Sequence, residues 1–596
     1  MTTSPILPEV REPEDPRVAA RASGALGELN LAGVLDAADV HVARRLSRLG
    51  DEDDERVLLA AALAVRAVRG GSLCLDLDTV PALDPTLADV DPAAWTAALA
   101  ASPLVEGGVL HLDGGRLYLG RYWQEESQVV DDLTRRDASA PTVDEAALET
   151  ALAAYFPDEA SADQRAAAEV ACRRWTSVVT GGPGTGKTTT IARLLGVLMS
   201  LEGEQPLRIA LAAPTGKAAA RMGQALRAAT ARDDFPGDGA TADRRNRIHD
   251  LSAGTLHRLL GWRPDSSTRF RHDRANPLPF DVVVVDETSM MSLTLAARLL
   301  EAMRPQARLV LVGDADQLAS VEAGAVLGDV VEGWSGHGPV RQLGLPRRFG
   351  AHIRGLAEAI KAGDEDAVLG LLSEGRGAEG DDDGWVLRAE AGPALDDLLR
   401  RHALTTQQAA TARDVPGMLA SFEAHRLLCA HREGPFGVTW WNRHVEHLLM
   451  EATHQEWWDE WYAGRPFIVN ANDQGLRLWN GDTGVAMPRD AATSLPLVGV
   501  VGDTASVSAT YPTTRLADVS TAHAMTVHRA QGSQFAAVTV LLPEPDSRIL
   551  TRELFYTAVT RATSVVRVVG TDDAIRAAVS RRAQRATGLA ARLASR

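Results

Sequence analysis

Short apolar runs alternate with segments of helical periodicity over the middle of the chain, and this alternation predicts its architecture. The runs are rich in valine and leucine, and in the segments between them apolar residues recur every three or four positions. Strands and helices in alternation form a doubly wound parallel sheet that binds ligands at the carboxyl ends of its strands. The predicted strands are 177–180, 208–213, 282–285, 308–312 and 340–343.

The segment ahead of this core has a different pattern. Residues 19–101 are alanine-rich and mostly helical in periodicity. Residues 105–122 alternate apolar and polar side chains around Asp113-Gly114-Gly115, which predicts a β-hairpin. Residues 1–16 read as a flexible tail, and 135–141 read as a linker because they combine charged and small residues with a proline.

A second unit begins near residue 350. Apolar runs at 437–439, 538–542 and 565–569 predict a second α/β core, and β-runs at 466–487 and 498–510 predict a small β-barrel inserted in it. Two charged stretches read as solvated surface segments, 233–250 and 379–384. The predicted organisation is an N-terminal docking domain over residues 1–138 and a nucleotide-binding core over 139–348. A second core follows over 349–596 and contains the insertion at about 464–520.

Composition narrows the class of protein. A chain of 596 residues exceeds the roughly 250–300 residues of a single hydrophobic core. No apolar run approaches the roughly 18–20 residues of a membrane span, and the N-terminus lacks a signal-peptide core. Three cysteines without a CxxC pair suit a reducing cytoplasm and argue against a structural zinc or iron–sulfur site. The net charge of −17 argues weakly against nucleic acid, although a basic channel can lie inside an acidic shell.

The chemistry of the chain centres on a glycine-rich turn between a predicted strand and a predicted helix. Gly181, four further residues and then Gly186-Lys187-Thr188 fit the phosphate-loop pattern. Such a loop points several backbone N–H groups at one anion, Lys187 can reach the β- and γ-phosphates, and Thr188 can ligate Mg²⁺. The sequence therefore predicts that the chain binds and hydrolyses a nucleoside triphosphate. The nucleotide-binding residues are Gly181, Gly182, Pro183, Gly184, Thr185, Gly186, Lys187, Thr188 and Thr189.

Three polar residues at later strand ends extend the site. The strand 282–285 ends in Asp286, placed to hold Mg²⁺ through water, and Glu287, placed to orient or deprotonate the attacking water. Adjacent acids at a strand end are often only a helix cap, but the phosphate loop about a hundred residues upstream favours the catalytic interpretation. Gln317 follows another strand end and can bond both the γ-phosphate and a water; the alternative is a polar turn.

Two arginines are candidates for stabilising the charge that builds on a transferring phosphoryl group. Arg348 and Arg561 both lie near the other motifs, whereas a lone arginine elsewhere is usually a surface residue. A planar guanidinium suits that charge. An arginine supplied from the second core would couple hydrolysis to closure of the two cores.

Taken in order, these motifs resemble those of superfamily 1 helicases. The matching stretches include GGPGTGKT, VVDE, GDADQL and YTAVTRA. Three stretches, TLHRLLG, LLCAHREGPFGV and TVHRAQGS, resemble the alpha-subunit family of the RecBCD helicase–nucleases (exodeoxyribonuclease V). The resemblance covers about residues 145–575, and it is weaker before them. One departure is Ala530, where many relatives have serine.

The resemblance implies two RecA-like domains, a mostly helical N-terminal domain and an SH3-like barrel in the second core. It implies ATP and Mg²⁺ as cofactors, with Gln164 reading the adenine and the other ATP-site roles falling to Lys187, Thr188, Asp286, Glu287, Gln317, Arg348 and Arg561. The implied DNA-binding residues, which contact phosphates without reading sequence, are Pro214, Thr215, Thr255, His257, Thr526 and His528.

The function implied is a cytoplasmic ATP-driven 5′→3′ translocase on single-stranded DNA. It would be one motor of a heterotrimer with beta and gamma subunits that processes double-strand DNA ends for recombinational repair. Three alternatives stay open: a stand-alone helicase of the same superfamily, a scaffold whose ATPase only gates DNA binding, and a nuclease. The nuclease alternative is disfavoured because the sequence shows no cluster of Asp, Glu and Lys outside the ATP site. The native mass of the protein from its own cell would separate the first from the heterotrimer.

Overall fold

The computed structural model describes most of the chain. The described residues are 15–20, 22–237, 240–263, 266–335, 338–344, 350–375, 384–455, 459–473, 475–489, 497–502, 507–583 and 585–596. Within these ranges no helix is both long and apolar enough to cross a membrane. Arg348 and most of the acidic stretch 379–384 lie outside the described residues.

The N-terminal unit packs helices on a three-stranded antiparallel sheet. Its hairpin is confirmed, since Asp113 pairs with Arg116. Gly114 and Gly115 have φ angles of 52° and 79°, and a two-residue hairpin turn requires such positive values. The helices are Gly24–Leu31, Ala37–Gly50, Glu55–Arg69, Pro92–Ala100 and Pro103–Glu106, and the strands are Cys74–Asp76, Leu110–Asp113 and Arg116–Leu119.

The predicted linker is wrong in its first three residues, which complete the last turn of the helix Gly120–Asp137. Arg136 on this helix is buried and donates to Thr176 Oγ1 at 2.8 Å and to the carbonyl of Trp175 at 2.7 Å, both in the first core. Gln128 donates to the carbonyl of Ala297 at 2.9 Å. The helix therefore joins the N-terminal unit firmly to the first core.

The first core is a six-stranded sheet in which every adjacent pair is parallel. The strand order is Val340–Gln342, Thr176–Thr180, Arg308–Gly313, Val282–Val285, Ile209–Ala213 and Ala253–Thr255. Five of these strands confirm the predicted set. The sixth is a three-residue edge strand whose half-buried side chains leave no apolar pattern to read. The helices are Glu145–Tyr155, Ala162–Arg173, Lys187–Ser200, Gly216–Ala231, Ala240–His249, Leu256–Leu260, Leu293–Ala302 and Val326–Gly333.

The stretch 233–250 is not the surface segment predicted from its charge. It contains the helix Ala240–His249, and Phe235 and Ile248 are buried in the core beside the phosphate-loop helix. Two apolar side chains anchor an otherwise polar segment, because the charged residues face outward. A two-stranded hairpin, Trp262–Arg263 and Ser266–Phe270, follows the next helix.

The second core is a five-stranded parallel sheet. Its order is Trp385–Ala389, Ala562–Val569, Phe535–Leu541, His425–Cys429 and Ala524–Thr526, and its helices are Ala351–Ala362, Glu365–Glu374, Pro393–Thr411, Val415–Ala424, Val438–Thr453, Arg552–Val559 and Asp572–Ser580. The predicted strand at 437–439 is wrong, since Val438 begins a helix. This helix buries four side chains at helical spacing, those of Trp441, Val445, Leu448 and Leu449. The longer helical pattern outweighs the short apolar run that predicted a strand.

A five-stranded antiparallel sheet is inserted in the second core, where β-runs were predicted. Its order is Val507–Pro512, Leu497–Gly502, Thr483–Pro488, Pro466–Val469 and Val519–Thr521. Trp479, in a turn of this insertion, packs on the first core, because a Cβ on Gly216 would lie 2.9 Å from Trp479 Cβ.

The C-terminal segment leaves the second core and returns to the N-terminal unit. The N–H of Leu73 donates to the carbonyl of Ala586 at 2.8 Å, and the N–H of Gly588 donates to Glu126 Oε2 at 3.2 Å. The short helix Leu589–Ala594 buries Leu589 and Leu593 in the same cluster as apolar residues of the first core. The C-terminal segment is therefore packed on the N-terminal unit and on the first core.

Buried imidazoles line a cavity of about 30 Å³ between the second core and the insertion. The rings of His402 and His425 stack 4.8 Å apart, and Tyr462 Oη lies 2.8 Å from His523 Nε2. Burial lowers the pKa of all three histidines, that of His523 to about 3. The folded protein therefore holds these rings neutral at pH 7.

This cluster predicts acid sensitivity. Because the folded pKa of each histidine lies below its ordinary value of 6.5, the unfolded chain takes up protons first as the pH falls through 6.5. For His523 we expect a loss of unfolding free energy of about 1.4 kcal/mol per pH unit below that value, and the other two histidines add to the loss in the same direction. In thermal melts from pH 7 to pH 5, His523→Gln should reduce the dependence of the melting temperature on pH. His447→Gln replaces a histidine that is 63% exposed and should leave that dependence unchanged. Equal slopes for the two variants would exclude the buried cluster as the cause.

Candidate active site

The phosphate loop lies at the carboxyl end of a central strand, Thr176–Thr180, and leads into the helix Lys187–Ser200. Gly184 and Gly186 have φ angles of 83° and 88°, values that favour glycine. A Cβ on Gly186 would lie 2.6 Å from Gln164 Nε2, and this amide donates to the carbonyl of Thr185 at 3.4 Å. Gln164 is thus placed against the loop, where the resemblance requires it.

The Lys187 ammonium lies inside the curve of the loop. Its Nζ donates to the carbonyls of Gly181 at 2.6 Å and Gly182 at 3.1 Å. The side chain is therefore held at the point toward which the loop is curled. A loop of glycines with a lysine at its centre fits the phosphates of a nucleotide.

Two carboxylates, those of Asp286 and Asp314, face this lysine, and Glu287 lies next to Asp286. Asp286 is buried, and its pKa rises to about 6 because of burial and the adjacent Glu287 carboxylate. Burial also raises the pKa of Asp314, and Lys187 opposes both shifts. Glu287 has a φ angle of 51°, a strained value for a residue other than glycine. Within the described part of the chain no three acidic, cysteine or histidine side chains stand close enough to hold a metal ion by themselves. One or two carboxylates beside a phosphate loop suit Mg²⁺ that is shared with nucleotide phosphates.

The first core reaches the second through a chain of hydrogen bonds. Gln317 Nε2 donates to Asp314 Oδ2 at 2.9 Å, and Gln317 Oε1 accepts from Arg561 Nη2 at 2.9 Å. Arg561 is 3% exposed and also donates to the carbonyl of Thr557 at 3.1 Å. Burial lowers the pKa of Arg561, and the carboxylates of Glu287 and Asp314 oppose that shift. The arginine therefore faces the acids of the other core.

The same interface contains residues to which the sequence analysis gave no role. Tyr556 Oη donates to Asp314 Oδ2 at 3.3 Å, the N–H of Leu318 donates to Thr557 Oγ1 at 2.9 Å, and Gln531 Nε2 donates to the carbonyl of Leu318 at 2.9 Å. Asp314, Tyr556, Thr557 and Gln531 all lie inside quoted motifs, so proximity to Gln317 and Arg561 was the available signal. Arg221 had none. It donates to the carbonyl of Gly532 at 2.6 Å across the cores.

The candidate DNA-binding residues lie at neighbouring strand ends within each core. Ala213, directly before Pro214 and Thr215, pairs with Thr255 in the sheet, and Thr526 ends a strand of the second core. The hydroxyl oxygens of these three threonines each accept a backbone N–H three residues on, at 3.2–3.3 Å. Each hydroxyl keeps its own proton, which can be donated to a phosphate.

The two candidate histidines differ in exposure. His257 is exposed, with its ring 5.7 Å from that of Phe270, and His528 is half-buried. Burial lowers the pKa of both side chains, and for His528 the nearby Arg585 and Arg432 lower it further. Neutral imidazoles at pH 7 can each donate one N–H to a phosphate oxygen.

Three family profiles match the chain in order. They are the RecBCD enzyme subunit RecD N-terminal domain over residues 31–118, an AAA domain over 164–323 and the UvrD-like helicase C-terminal domain over 521–569. The class of protein follows from a nucleotide-binding core whose acidic residues contact a second core of helicase type. The protein is an ATP-dependent DNA helicase of superfamily 1.

Whole-chain similarity identifies the family. The chain is 53% identical over 568 residues to RecBCD enzyme subunit RecD of Mycolicibacterium smegmatis, covering 94% of this chain and 98% of that one. It therefore belongs to the RecD family. It is also 30% identical to the ATP-dependent RecD2 DNA helicase of Deinococcus radiodurans, over 77% of this chain and 56% of that one. A solved structure of Bacteroides Pif1 bound to ssDNA matches with a TM-score of 0.36 and 14% identity, covering 69% of this chain and 92% of that one.

Proposed function

We propose that the chain is a 5′→3′ single-strand DNA translocase whose ATP site is completed at the contact between its two cores. The observation that carries this proposal is the hydrogen bond between Gln317 and Arg561. Gln317 also bonds Asp314, so a change at the acids reaches the second core through one side chain. Closure and opening of the cores around this contact would move the chain along DNA.

The roles proposed for the ATP site rest on the family resemblance, supported by the contacts described above. Gln164 reads the adenine, Lys187 binds the phosphates, and Glu287 orients and deprotonates the attacking water. Thr188 and Asp286 would hold Mg²⁺, which neutralises phosphate charge when bound. Arg561 stabilises charge developing on the transferred group, and Arg348, outside the described residues, is proposed for the same task.

The DNA path is proposed to run over the strand ends of both cores. It would contact Pro214, Thr215, Thr255, His257, Thr526 and His528. The threonine hydroxyls and the histidine N–H groups of this set can donate to phosphates and offer no base-specific pattern, so binding should depend on salt and little on sequence. We further propose that the antiparallel insertion is the SH3-like barrel of the family. Its Trp479 packs on Gly216, beside the proposed DNA path.

Polarity is the direct test of this function. Single-stranded DNA should stimulate ATP hydrolysis, and the protein should unwind a duplex with a 5′ tail while leaving the matched 3′-tailed duplex paired. A strand-displacement assay on the two substrates measures this, with a blunt duplex as the control. Unwinding of the 3′-tailed duplex alone would reverse the assigned direction.

We propose that the chain works in the cytoplasm as one subunit of a heterotrimer with beta and gamma subunits that processes double-strand DNA ends. Its three cysteines are free and buried, as suits a reducing compartment. The N-terminal unit within 1–138 contributes nothing to the ATP site, and we assign it the docking role. We propose that the first core spans residues 139–348 and the second core spans 349–596. Co-purification of the full chain with both other subunits in equal amounts is the measurement; isolation as a lone active monomer would favour the stand-alone helicase.

A further inference from the structure

Four arginines near the junction of the N-terminal unit and the second core lack partners. They are Arg66, Arg432, Arg529 and Arg548, and we call them the arginine track. Among the described residues, none of their guanidinium groups makes a hydrogen bond or ion pair. Arg432 and Arg548 are exposed, and the other two are half-buried. Four unpaired arginines at one junction form a local positive surface that can bind an anion even in a chain of net charge −17.

The arginine track is continuous with the proposed DNA path. Arg529 directly follows His528, and Arg432 is a like charge that lowers the pKa of both side chains. His431, beside Arg432, has its Nε2 2.8 Å from Ser547 Oγ, which places the neighbouring Arg548 next in line. Arg548 in turn faces Arg66 on the N-terminal unit.

The elements that carry the arginine track are held rigidly. Arg581 donates to the carbonyls of Ser547 at 2.6 Å and Pro545 at 3.0 Å, which fixes the loop bearing Arg548. Arg585 donates to the carbonyl of Gly324 at 2.9 Å. Its Cζ would lie 3.1 Å from a Cβ on Gly71, so Arg585 packs against the turn just past the helix of Arg66.

The carboxylates around the arginine track leave its positive charge in excess. Asp36 and Asp39 face Arg66, but both are ion-paired with Arg69, at 2.6 and 2.8 Å. Asp546, two residues before Arg548, is exposed and makes no ion pair within the described ranges. Glu544, four residues before Arg548, and Glu433, beside Arg432, also make no ion pair in the described part of the chain. Four guanidinium groups therefore stand near three such carboxylates, none of which they bond.

We propose that the arginine track binds the phosphate backbone of the single strand beyond the motor cleft, leading it from Thr526 and His528 across the second core onto the N-terminal unit. This inference rests on the proposed DNA path. Unpaired guanidinium groups in series suit successive phosphates and carry no base preference. The N-terminal unit would then be a DNA-contacting surface as well as a docking module.

The test is the salt dependence of binding to a long oligodeoxythymidylate. In the full chain, Arg66→Gln with Arg548→Gln removes two phosphate contacts, which should reduce the slope of log Kd against log salt by about 1.4. The ratio of affinities at 50 and 200 mM salt should shrink about sevenfold. The matched control, Arg45→Gln with Arg401→Gln, removes two exposed arginines from the same two units and should keep the wild-type slope.

The outcomes separate this inference from the function on which it rests. Equal slopes for the variant and wild type, with equal thermal midpoints, would overturn the arginine track as a DNA site. A variant that keeps the wild-type slope but no longer co-purifies with the other subunits would assign the track to an acidic partner surface and also overturn it. A wild-type chain that does not bind the oligonucleotide would instead refute the proposed DNA path.

Discussion

Replacement of Arg561 by alanine is expected to reduce DNA-stimulated ATP hydrolysis by about 10³–10⁵, with a much smaller change in ATP affinity. The reason is its position, because the guanidinium comes from the second core and bonds Gln317 beside the acids of the first. Its charge matters most when negative charge builds on the transferred phosphoryl group, so kcat should fall while nucleotide binding persists. Steady-state ATPase rates and binding of a fluorescent nucleotide measure the two effects.

Burial of Arg561 calls for two controls. Arg561→Lys keeps a charge but loses the planar fork that reaches Gln317 and Thr557, so we expect little rescue. Arg426 is equally buried in the same core and donates to the carbonyls of Ala522 and Phe422, away from the acids. Arg426→Ala should lower the thermal midpoint without a comparable loss of kcat. An Arg561→Ala rate within tenfold of wild type would show that this arginine is not a finger.

Replacement of Glu287 by glutamine is expected to reduce turnover by about 10²–10⁴ and to trap bound ATP. Asp286 and the phosphate loop are untouched by this change, so nucleotide and cation should still bind. The amide loses the basic oxygen that would accept the proton of the attacking water. Single-turnover hydrolysis of radiolabelled ATP, followed with nucleotide release, separates the chemical step from binding.

A neighbouring carboxylate provides the control for Glu287. Asp316 lies in the turn between Asp314 and Gln317 and forms an ion pair with Lys361. Asp316→Asn removes the same charge from the same region and should leave the chemical step near the wild-type rate. Turnover of Glu287→Gln close to wild type would mean that another group activates the water.

The sequence was most informative where local pattern and chemistry coincide. Valine-rich strands ending in motif residues predicted five of the six strands of the first core, and Gly114-Gly115 predicted the hairpin. The contacts of Gln317 and Arg561 within the site agree with the roles that resemblance implied, although those roles stay proposals. In the strands and the hairpin the decisive residues are adjacent in the chain, so the pattern predicts the structure directly.

Apart from the helix that begins at Val438, which a longer local pattern indicates, the failures have a common physical cause, since tertiary packing decided them. The strand Ala253–Thr255 exists because Ile209–Ala213 offers an edge, and the helix Ala240–His249 because Ile248 finds a buried position. The linker prediction missed Arg136, whose carbonyl partners lie far away in sequence. Arg221 meets Gly532 across 311 residues, a separation no local pattern reports.

The return of the C-terminal segment has a consequence for biosynthesis. The ribosome makes Leu73 and Glu126 well before their partners Ala586 and Gly588. Until then the surface that receives Leu589 and Leu593 is uncovered on the nascent chain, and exposed apolar surface promotes aggregation and chaperone binding. Completion of the first-made unit therefore waits until Leu589 and Leu593 have been made, and a chain truncated before them carries an open apolar site by which quality control can recognise it.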